Sequence, residues 1–210
     1  QDIPEYKPEA NEMLYWNRTN VIQKPGMELV VPRYYVYEDV SLRTDMRGDS
    51  SHIAFDYILD AGRTPIHSYC DLSIGLRHMP VADTTKYYIV QKAGKWRSSM
   101  GGKYANGWIK TRVRSLGTFS VDVDTIAPQI TPIGQGGWRT SRNIRFRIKD
   151  MESGIGSYKV YIDGKFVLFG LKKGILVIQD PEKVKKGVPH KLEVTVTDQC
   201  GNMTRKEYKF

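Results

Sequence analysis

Three short stretches in the last third of the chain each place an aspartate after an alternating apolar run and follow it with turn-forming residues. These stretches are Asp124-Thr125-Ile126-Ala127-Pro128, Asp150-Met151-Glu152-Ser153-Gly154-Ile155 and Asp198-Gln199-Cys200-Gly201-Asn202. Aspartate, serine, glycine and asparagine stabilise tight or left-handed backbone and supply local hydrogen bonds. The corners of a small antiparallel β-sandwich need such residues, so the stretches indicate a scaffold or binding module rather than a catalyst.

The pattern of residues 125–210 predicts an immunoglobulin-like β-sandwich. In residues 143–150, apolar residues alternate with Arg145, Arg147 and Lys149, which places one face in the core and the other in water. Asp163-Gly164 stands between two apolar runs and predicts a type I′ hairpin, because both central residues of that turn need positive φ. The predicted strands number about seven, as expected of this fold. They cover residues 129–133, 143–150, 158–162, 165–169, 175–178, 192–197 and 203–210.

Residues 1–124 predict a separate and less regular β-sandwich, in which glycine-bearing turns divide several apolar runs. Pro128 and Pro132 mark the change of domain, and 210 residues are enough for two domains that each bury a core. We therefore expect an all-β chain of two tandem β-sandwich domains. The strands predicted in the first domain cover residues 28–31, 53–59, 70–76, 87–92, 108–113 and 118–123.

The net charge of +9 has two interpretations. Lys and Arg alternate with apolar residues in most runs, which is typical of solvated strand faces. The alternative is attraction to an anionic partner, such as lipopolysaccharide, an acidic glycan or nucleic acid. Nucleic acid is excluded, because the sequence has no recognition helix and no aromatic RNA-binding motif. Arg145, Arg147 and Lys149 are the first candidates for an anionic ligand, since they share one exposed strand face.

The longest apolar runs are far shorter than the roughly 20 residues of a transmembrane helix, so we expect a chain that does not span a membrane. Position 1 is Gln, and no charged and then apolar leader follows it. We expect either that a leader has been removed or that this segment belongs to a longer protein.

The sequence predicts no catalytic residue and no cofactor. His52 and Asp56 have the H-x-x-x-D spacing of some zinc hydrolases, but in a strand they would stand about 13 Å apart, too far to share a metal. His67, His78 and His190 each lie beside a proline-containing turn and are predicted at the surface. No H-x-H, H-E-x-x-H, C-x-x-C or G-x-S-x-G motif is present.

Two weaker binding hypotheses come from the corners of the sandwich. Asp124, Asp150, Glu152 and Asp198 are candidate ligands for Ca²⁺, which favours carboxylate and carbonyl oxygens. The preferred interpretation is that each aspartate accepts backbone N–H groups in its own turn, because the D-x-D-x-D density of a calcium loop is missing.

The other binding hypothesis concerns three tryptophans. Trp96, Trp108 and Trp138 lie at or beside glycine turns, where exposed rings would stack on sugars and buried rings would cover the end of the core. Cys70 lies on an apolar strand face and Cys200 in the last turn, so two free thiols are expected rather than a disulfide.

The aspartate stretches resemble the D-T-x-x-P, D-x-x-S-G-I and D-x-x-G-N signatures of bacterial immunoglobulin-like surface domains. A longer region resembles the C-terminal β-sandwich region of Bacteroidetes cell-envelope proteins classed as lysostaphin-type zinc metallopeptidases. It starts at Gly101-Gly102-Lys103-Tyr104, runs through residues 116–128 and includes Tyr161-Ile162-Asp163-Gly164. In that family an N-terminal domain bears the zinc ligands, in H-x-x-x-D and H-x-H motifs, and tandem β-domains follow it. The H-x-H motif is absent from this sequence, so the resemblance assigns no catalytic residue to it.

The resemblance implies a periplasmic, cell-surface or secreted accessory segment without catalytic activity. Such a segment would position a catalytic domain of the same polypeptide, or bind a cell-wall or surface polymer of anionic or glycan character. The alternative is a free-standing surface adhesin or glycan-binding protein. A third hypothesis is a hydrolase with an unrecognised site in the first domain.

Overall fold

The computed structural model describes residues 11–210 of the chain, so the leader interpretation, which concerns residues 1–10, lies outside the described residues. The fold is nearly all β, with 52% of residues in strands and one short helix among the described residues. The chain divides into two compact units, one that ends at Val123 and one that covers Asp124–Phe210. We call them the first and the second domain. In the described part of the chain, no helix has the length and apolar character needed to cross a membrane.

The first domain consists of two antiparallel sheets with their core between them. The sheet orders are β1-β4-β5-β11-β7-β8 and β2-β3-β6-β10-β9. The strands are β1 Glu12–Leu14, β2 Asn20–Lys24, β3 Met27–Val31, β4 Val40–Arg47, β5 Asp56–Asp60, β6 Cys70–Gly75, β7 Tyr87–Ala93, β8 Trp96–Gly101, β9 Lys103–Ala105, β10 Trp108–Val113 and β11 Gly117–Val123.

The core of the first domain follows from strand alternation. Every second residue of β3 and β6 is buried, as the period of 2 requires. Tyr57 is among the largest buried side chains, and its hydroxyl donates to the carbonyl of Pro25 at 2.7 Å. Burial raises the pKa of Tyr57 to about 12. Cys70 is buried here and Cys200 is buried in the second domain, and the two do not form a disulfide, as predicted.

The strand predicted over residues 53–59 begins only at Asp56. The preceding residues form a turn, because Asp49 Oδ1 accepts hydrogen bonds from the Ser51 backbone at 2.8 Å and contacts His52 Nδ1 at 2.9 Å. Five strands were not predicted at all: β1, β2, β4, β8 and β9. The edge strand β8 shows why, since none of its residues is buried and its sequence has no apolar alternation.

The second domain is an immunoglobulin-like sandwich. Its sheets have the orders β12-β13-β17-β16 and β15-β14-β18-β19, which correspond to the ABED and CFG arrangement of that fold with one added edge strand. The elements are β12 Gln129–Ile133, α1 Trp138–Ser141, β13 Arg145–Lys149, β14 Ile155–Ile162, β15 Lys165–Phe166, β16 Phe169–Lys172, β17 Ile175–Ile178, β18 Lys191–Asp198 and β19 Met203–Lys209.

Asp163 and Gly164 have φ values of +51° and +76°, so the predicted type I′ hairpin is confirmed. The strand predicted over residues 165–169 is divided, however. Lys165 and Phe166 pair with β14, whereas Phe169 begins β16, which pairs with β17 in the other sheet. The chain changes sheets between them, and the buried side chain of Val167 joins the core at this point.

Candidate functional site

The outer face of β13 carries the predicted basic residues. Arg145, Arg147 and Lys149 are exposed, while the residues between them are buried in the core. Lys172 extends this row, because Arg147 pairs with Ile175 of β17 and Ile175 pairs with Lys172 of β16. We call these four residues the basic face. Alternate residues of a strand lie about 6.6 Å apart, so the three cations of β13 form a regular ladder.

The residues that pair with this ladder on the neighbouring strands include no Asp or Glu. The paired positions that share the outer face are Gln129, Thr131, Ile133, Gly170, Ile175 and Val177. The ion pairs found among residues 11–210 include none of the four basic residues. The basic face therefore presents positive charge to solvent without internal neutralisation.

Three of the four predicted calcium ligands meet at one corner of the second domain. Single carboxylate oxygens of Asp124, Asp150 and Asp198 lie within 4.8 Å of one another, and Asp124 and Asp198 are buried. Glu152 is exposed and does not join the cluster. In the part of the chain that the structure describes, this is the only place where three acidic, histidine or cysteine side chains come so close.

Each of the three aspartates accepts backbone hydrogen bonds in its own turn. Asp124 Oδ1 accepts from Ile126 at 2.9 Å, Asp150 Oδ2 from Gly154 at 2.6 Å, and Asp198 Oδ1 from Cys200 at 2.8 Å. Burial raises the pKa of Asp198, and the neighbouring Asp124 carboxylate adds to the increase, while hydrogen bonds from Asn202 and Cys200 oppose it. These hydrogen bonds agree with the preferred interpretation, in which each aspartate serves its own turn, and calcium binding stays the untested alternative.

The same corner also joins the three sequence stretches to one another. Asp124 Oδ2 accepts from the Ser153 backbone at 3.0 Å and from its hydroxyl. Asn202 Nδ2 donates to the Asp124 carbonyl at 3.0 Å and to Asp198 Oδ2 at 2.7 Å. The preferred interpretation of the sequence confined each aspartate to hydrogen bonds within its own turn, whereas the structure also joins Asp124, Asp198 and Asn202 in one hydrogen-bond network.

The three tryptophans do not form a common binding surface. Trp96 is 72% exposed on β8, with Lys95 Nζ 5.8 Å from its ring centre. Trp108 is half-buried on β10, in the other sheet of the first domain. Trp138 is fully buried in the second domain, where its ring contacts Phe146 at 5.0 Å and its Nε1 donates to the Ile133 carbonyl at 2.9 Å. The prediction that Trp138 binds sugar is wrong, because no ligand reaches a ring inside the core.

His67 and His78 are exposed as predicted, but the prediction for His190 is wrong. His190 is buried, with Nδ1 2.6 Å from Asp163 Oδ2 and Nε2 2.7 Å from the Lys185 carbonyl. Burial alone would lower the pKa of His190, but the hydrogen bonds to Asp163 and Lys185 outweigh it and raise that pKa. The pKa of Asp163 is lowered, first by the Lys191 backbone N–H and then by His190. The pair stabilises the hairpin turn.

An exposed aromatic group at one end of the first domain was not predicted from the sequence. Tyr34 and Tyr37 are 55% and 68% exposed in the loop between β3 and β4, and Trp16 is 44% exposed in the turn between β1 and β2. The signal was available in the run Pro32-Arg33-Tyr34-Tyr35-Val36-Tyr37. Three tyrosines in four residues outside any regular strand pattern indicate a binding loop.

Comparison with known proteins gives one family match. The model of the Zu5-like domain matches residues 11–124, which correspond to the described part of the first domain together with Asp124. A search of curated proteins finds no match. Because the matched region is more than half of the chain, the chain belongs to the Zu5-like domain family.

Proposed function

We propose that this chain is a non-catalytic accessory segment of a cell-envelope or secreted bacterial protein, and that its second domain binds an anionic polymer of the envelope. The observation that supports this proposal is the basic face. Arg145, Arg147, Lys149 and Lys172 are exposed on one sheet, and no ion pair found among residues 11–210 includes them.

The geometry of the basic face favours an extended polyanion. Cations repeated about every 6.6 Å along a strand match a ligand that carries repeated charges along its length. Arginine also binds carboxylate and phosphate groups through two parallel hydrogen bonds, which gives it an advantage over lysine at such a surface. Without neighbouring carboxylates, the ligand does not have to displace an internal partner before it binds.

The wider setting of the proposal comes from the sequence resemblance. Tandem β-domains follow the zinc-binding domain in the lysostaphin-type metallopeptidases that this sequence resembles. In such a protein the segment would hold a catalytic domain of the same polypeptide near its polymeric substrate, in the periplasm, at the cell surface or outside the cell. The alternative is a free-standing adhesin or glycan-binding protein. The exposed aromatic group of the first domain supports this alternative.

The experiment compares two triple variants that remove the same charge. One changes Arg145, Arg147 and Lys149 to Ser, and the control changes Arg47, Arg97 and Arg112 to Ser. The control residues are similarly exposed but are paired with Asp45, Asp122 and Asp71. Binding is measured on heparin and alginate as model acidic polysaccharides, between low salt and about 0.5 M salt.

We expect the unchanged protein to lose affinity steeply with salt, because exposed charges are screened over about 8 Å at physiological ionic strength. The basic-face variant should bind about tenfold or more weakly, whereas the control should lose only the share due to net charge. Equal losses in both variants, or binding that salt does not change, would contradict the proposal.

A further inference from the structure

Three loops bring aromatic rings together at one end of the first domain. Trp16 lies in the β1–β2 turn, Tyr34, Tyr35 and Tyr37 in the β3–β4 loop, and His67 in the β5–β6 loop. The ring centres of Trp16 and Tyr34 are 5.7 Å apart, and His67 lies 6.4 Å from Tyr35 and 6.1 Å from Tyr37. The rings thus form two groups, Trp16 with Tyr34 and His67 with Tyr35 and Tyr37, and both groups draw on the β3–β4 loop. We call the three loops with these rings the aromatic end.

The exposed large hydrophobic side chains of these loops are all aromatic. Tyr34, Tyr37 and Tyr69 are at least half exposed, whereas the aliphatic residues Val36 and Ile66 of the same loops are buried. Burial of the aliphatic residues anchors the loops to the core. Exposed aromatic residues that are grouped in this way are typical of a binding surface.

Hydrogen bonds hold the rings in place. Tyr37 Oη lies 3.1 Å from His67 Nδ1, and the backbone N–H of His67 donates to the Tyr35 carbonyl at 2.8 Å. The N–H of Tyr34 donates to the Trp16 carbonyl at 2.6 Å, and Tyr34 has φ of +67°, which bulky residues rarely adopt. Because the loop backbones and the Tyr37 ring are already held in place, a ligand that binds there loses less conformational entropy.

A buried asparagine fixes the turn that carries Trp16. Asn20 Nδ2 donates to the Tyr15 carbonyl at 2.8 Å and to the Arg18 carbonyl at 3.1 Å, and its Oδ1 accepts from the Tyr15 N–H. The N–H of Trp16 donates to Asp39 Oδ1 at 3.1 Å. The backbone of Trp16 therefore ties the β1–β2 turn to the β3–β4 loop at two points, Tyr34 and Asp39.

A cleft opens directly beside the most exposed ring of the aromatic end. Its volume is about 310 Å³, and its lining consists of Tyr37, Glu38, Val40, Arg63, Thr64 and Pro65. This volume is at the lower end of the roughly 300–1,000 Å³ of small-ligand sites. Arg63 and Glu38 are exposed, and the ion pairs found in the described chain include neither. The cleft therefore offers a flat ring, a donor group and an acceptor group within one small volume.

We propose that this cleft binds a sugar ring of a polysaccharide. The C–H face of the sugar stacks on Tyr37, and its hydroxyl groups exchange hydrogen bonds with Arg63 as donor and Glu38 as acceptor. The site lies in the first domain and uses none of the basic-face residues, so it goes beyond the proposed function and does not depend on it.

The same observations favour a glycan over a protein partner. A stable protein interface buries about 800 Å² on each partner and has an apolar centre. Here the aliphatic residues are buried beneath the loops, and the exposed groups are amphipathic rings with charges of both signs beside them. A cleft of this size suits one sugar unit.

The test uses soluble hexasaccharides of glucose, N-acetylglucosamine and galacturonate, with binding measured by calorimetry in 0.15 M and 1 M salt. We expect at least one neutral hexasaccharide to bind with little dependence on salt. Tyr37→Ala should weaken that binding about tenfold or more, a change of about 1.4 kcal/mol, whereas Tyr37→Phe should keep most of it, because the stacking face remains. Arg63→Gln should weaken it by a smaller factor.

Tyr104→Ala is the matched control, since Tyr104 is an exposed tyrosine on β9 outside the aromatic end. Trp96→Ala tests whether the exposed tryptophan on β8, rather than the aromatic end, accounts for sugar binding. The triple serine variant of Arg145, Arg147 and Lys149 should bind neutral sugars as well as the unchanged protein does. Loss of polyanion binding and loss of neutral-sugar binding can therefore be told apart.

Three outcomes would overturn the inference. The first is that no neutral hexasaccharide binds, and the second is that Tyr37→Ala binds as well as the unchanged protein. The third is that Tyr37→Ala disrupts association with a protein but leaves sugar binding intact, which would assign the aromatic end to a protein partner. An unchanged melting temperature of Tyr37→Ala would show that its weaker sugar binding does not come from unfolding.

Discussion

The two domains contain similar local patterns in different surroundings. In the first domain, three cations of the six-stranded sheet have carboxylate partners on other strands of the same sheet: Arg43 with Asp60, Lys92 with Asp56, and Arg97 with Asp122. In the second domain, the cations of the basic face have polar or apolar neighbours. The net charge of +9 is therefore unevenly available to a ligand.

Tight glycine turns show the same contrast. Gly26 and Gly164 both have positive φ in two-residue hairpin turns, with values of +77° and +76°. A Cβ on Gly26 would lie 2.7 Å from Tyr57 Oη, whereas a Cβ on Gly164 would meet nothing within 4 Å. Neither the charge pairing nor the crowding is a local property of the strand or turn. Each depends on which residues of other strands lie next to the cation or the glycine.

The largest expected effect concerns the two glycine turns. Gly26→Ala should destabilise the first domain by about 2–5 kcal/mol, because left-handed backbone strain and overpacking against buried Tyr57 add together. Gly164→Ala should destabilise the second domain by only about 1–2 kcal/mol, from backbone strain alone. Denaturant unfolding of the full chain measures both changes. Equal losses would show that Tyr57 moves aside easily and would remove this part of the contrast.

The second prediction gives the basic face the partners that the first domain has. Thr131→Glu with Gln129→Glu places carboxylates opposite Arg147 and Lys149. We expect polyanion binding to fall about tenfold, since the new carboxylates pair with the cations and repel the ligand. The control, Thr140→Glu with Ser157→Glu, adds the same charge at exposed positions away from the basic face. A similar decrease in the control would show that net charge alone governs binding.

The third prediction makes the opposite change, which removes the carboxylate partners of two cations in the first domain. Asp60→Asn with Asp122→Asn removes the partners of Arg43 and Arg97 but retains the side-chain oxygens that accept from Gly62 and Val123. Polyanion affinity should rise by a few-fold, because exposed ion pairs contribute only about 0–1 kcal/mol and are easily replaced. Glu28→Gln with Glu182→Gln changes the net charge equally and serves as control. Identical gains in both would contradict a role for the specific pairs.

The smallest effect is the pH dependence of the second domain. The pKa of His190 is raised above 6.5 in the folded state, so its contribution to stability is complete below pH 6.5 and is lost as pH rises through the raised pKa. The melting temperature of the second domain should therefore decrease modestly between pH 6 and pH 9. Asp163→Asn, which keeps a residue that tolerates left-handed backbone, should reduce this decrease. A melting temperature that rises over the same range would show that the sign is wrong.

Much of the fold was predictable because alternation is a local signal. The bounds predicted for β10, β12 and β17 agree with the structure, and the Asp163-Gly164 turn follows from the backbone that it requires. The strands that were missed have weaker alternation, as in β4, where Leu42 and Thr44 are the only buried residues. The exposed aromatic loop was missed because it belongs to no periodic element.

Local sequence patterns were enough to predict the all-β class, the immunoglobulin-like pattern of the second domain and the exposure of Arg145, Arg147 and Lys149. All three depend on the period of 2 and on turn chemistry, which involve neighbours along the chain. Three other features became visible only in the folded chain: Trp138 is buried, Asp124, Ser153 and Asn202 share one network, and the basic face has no carboxylate partners among the described residues. These facts depend on strand register and loop packing between residues far apart in sequence, which no local pattern encodes.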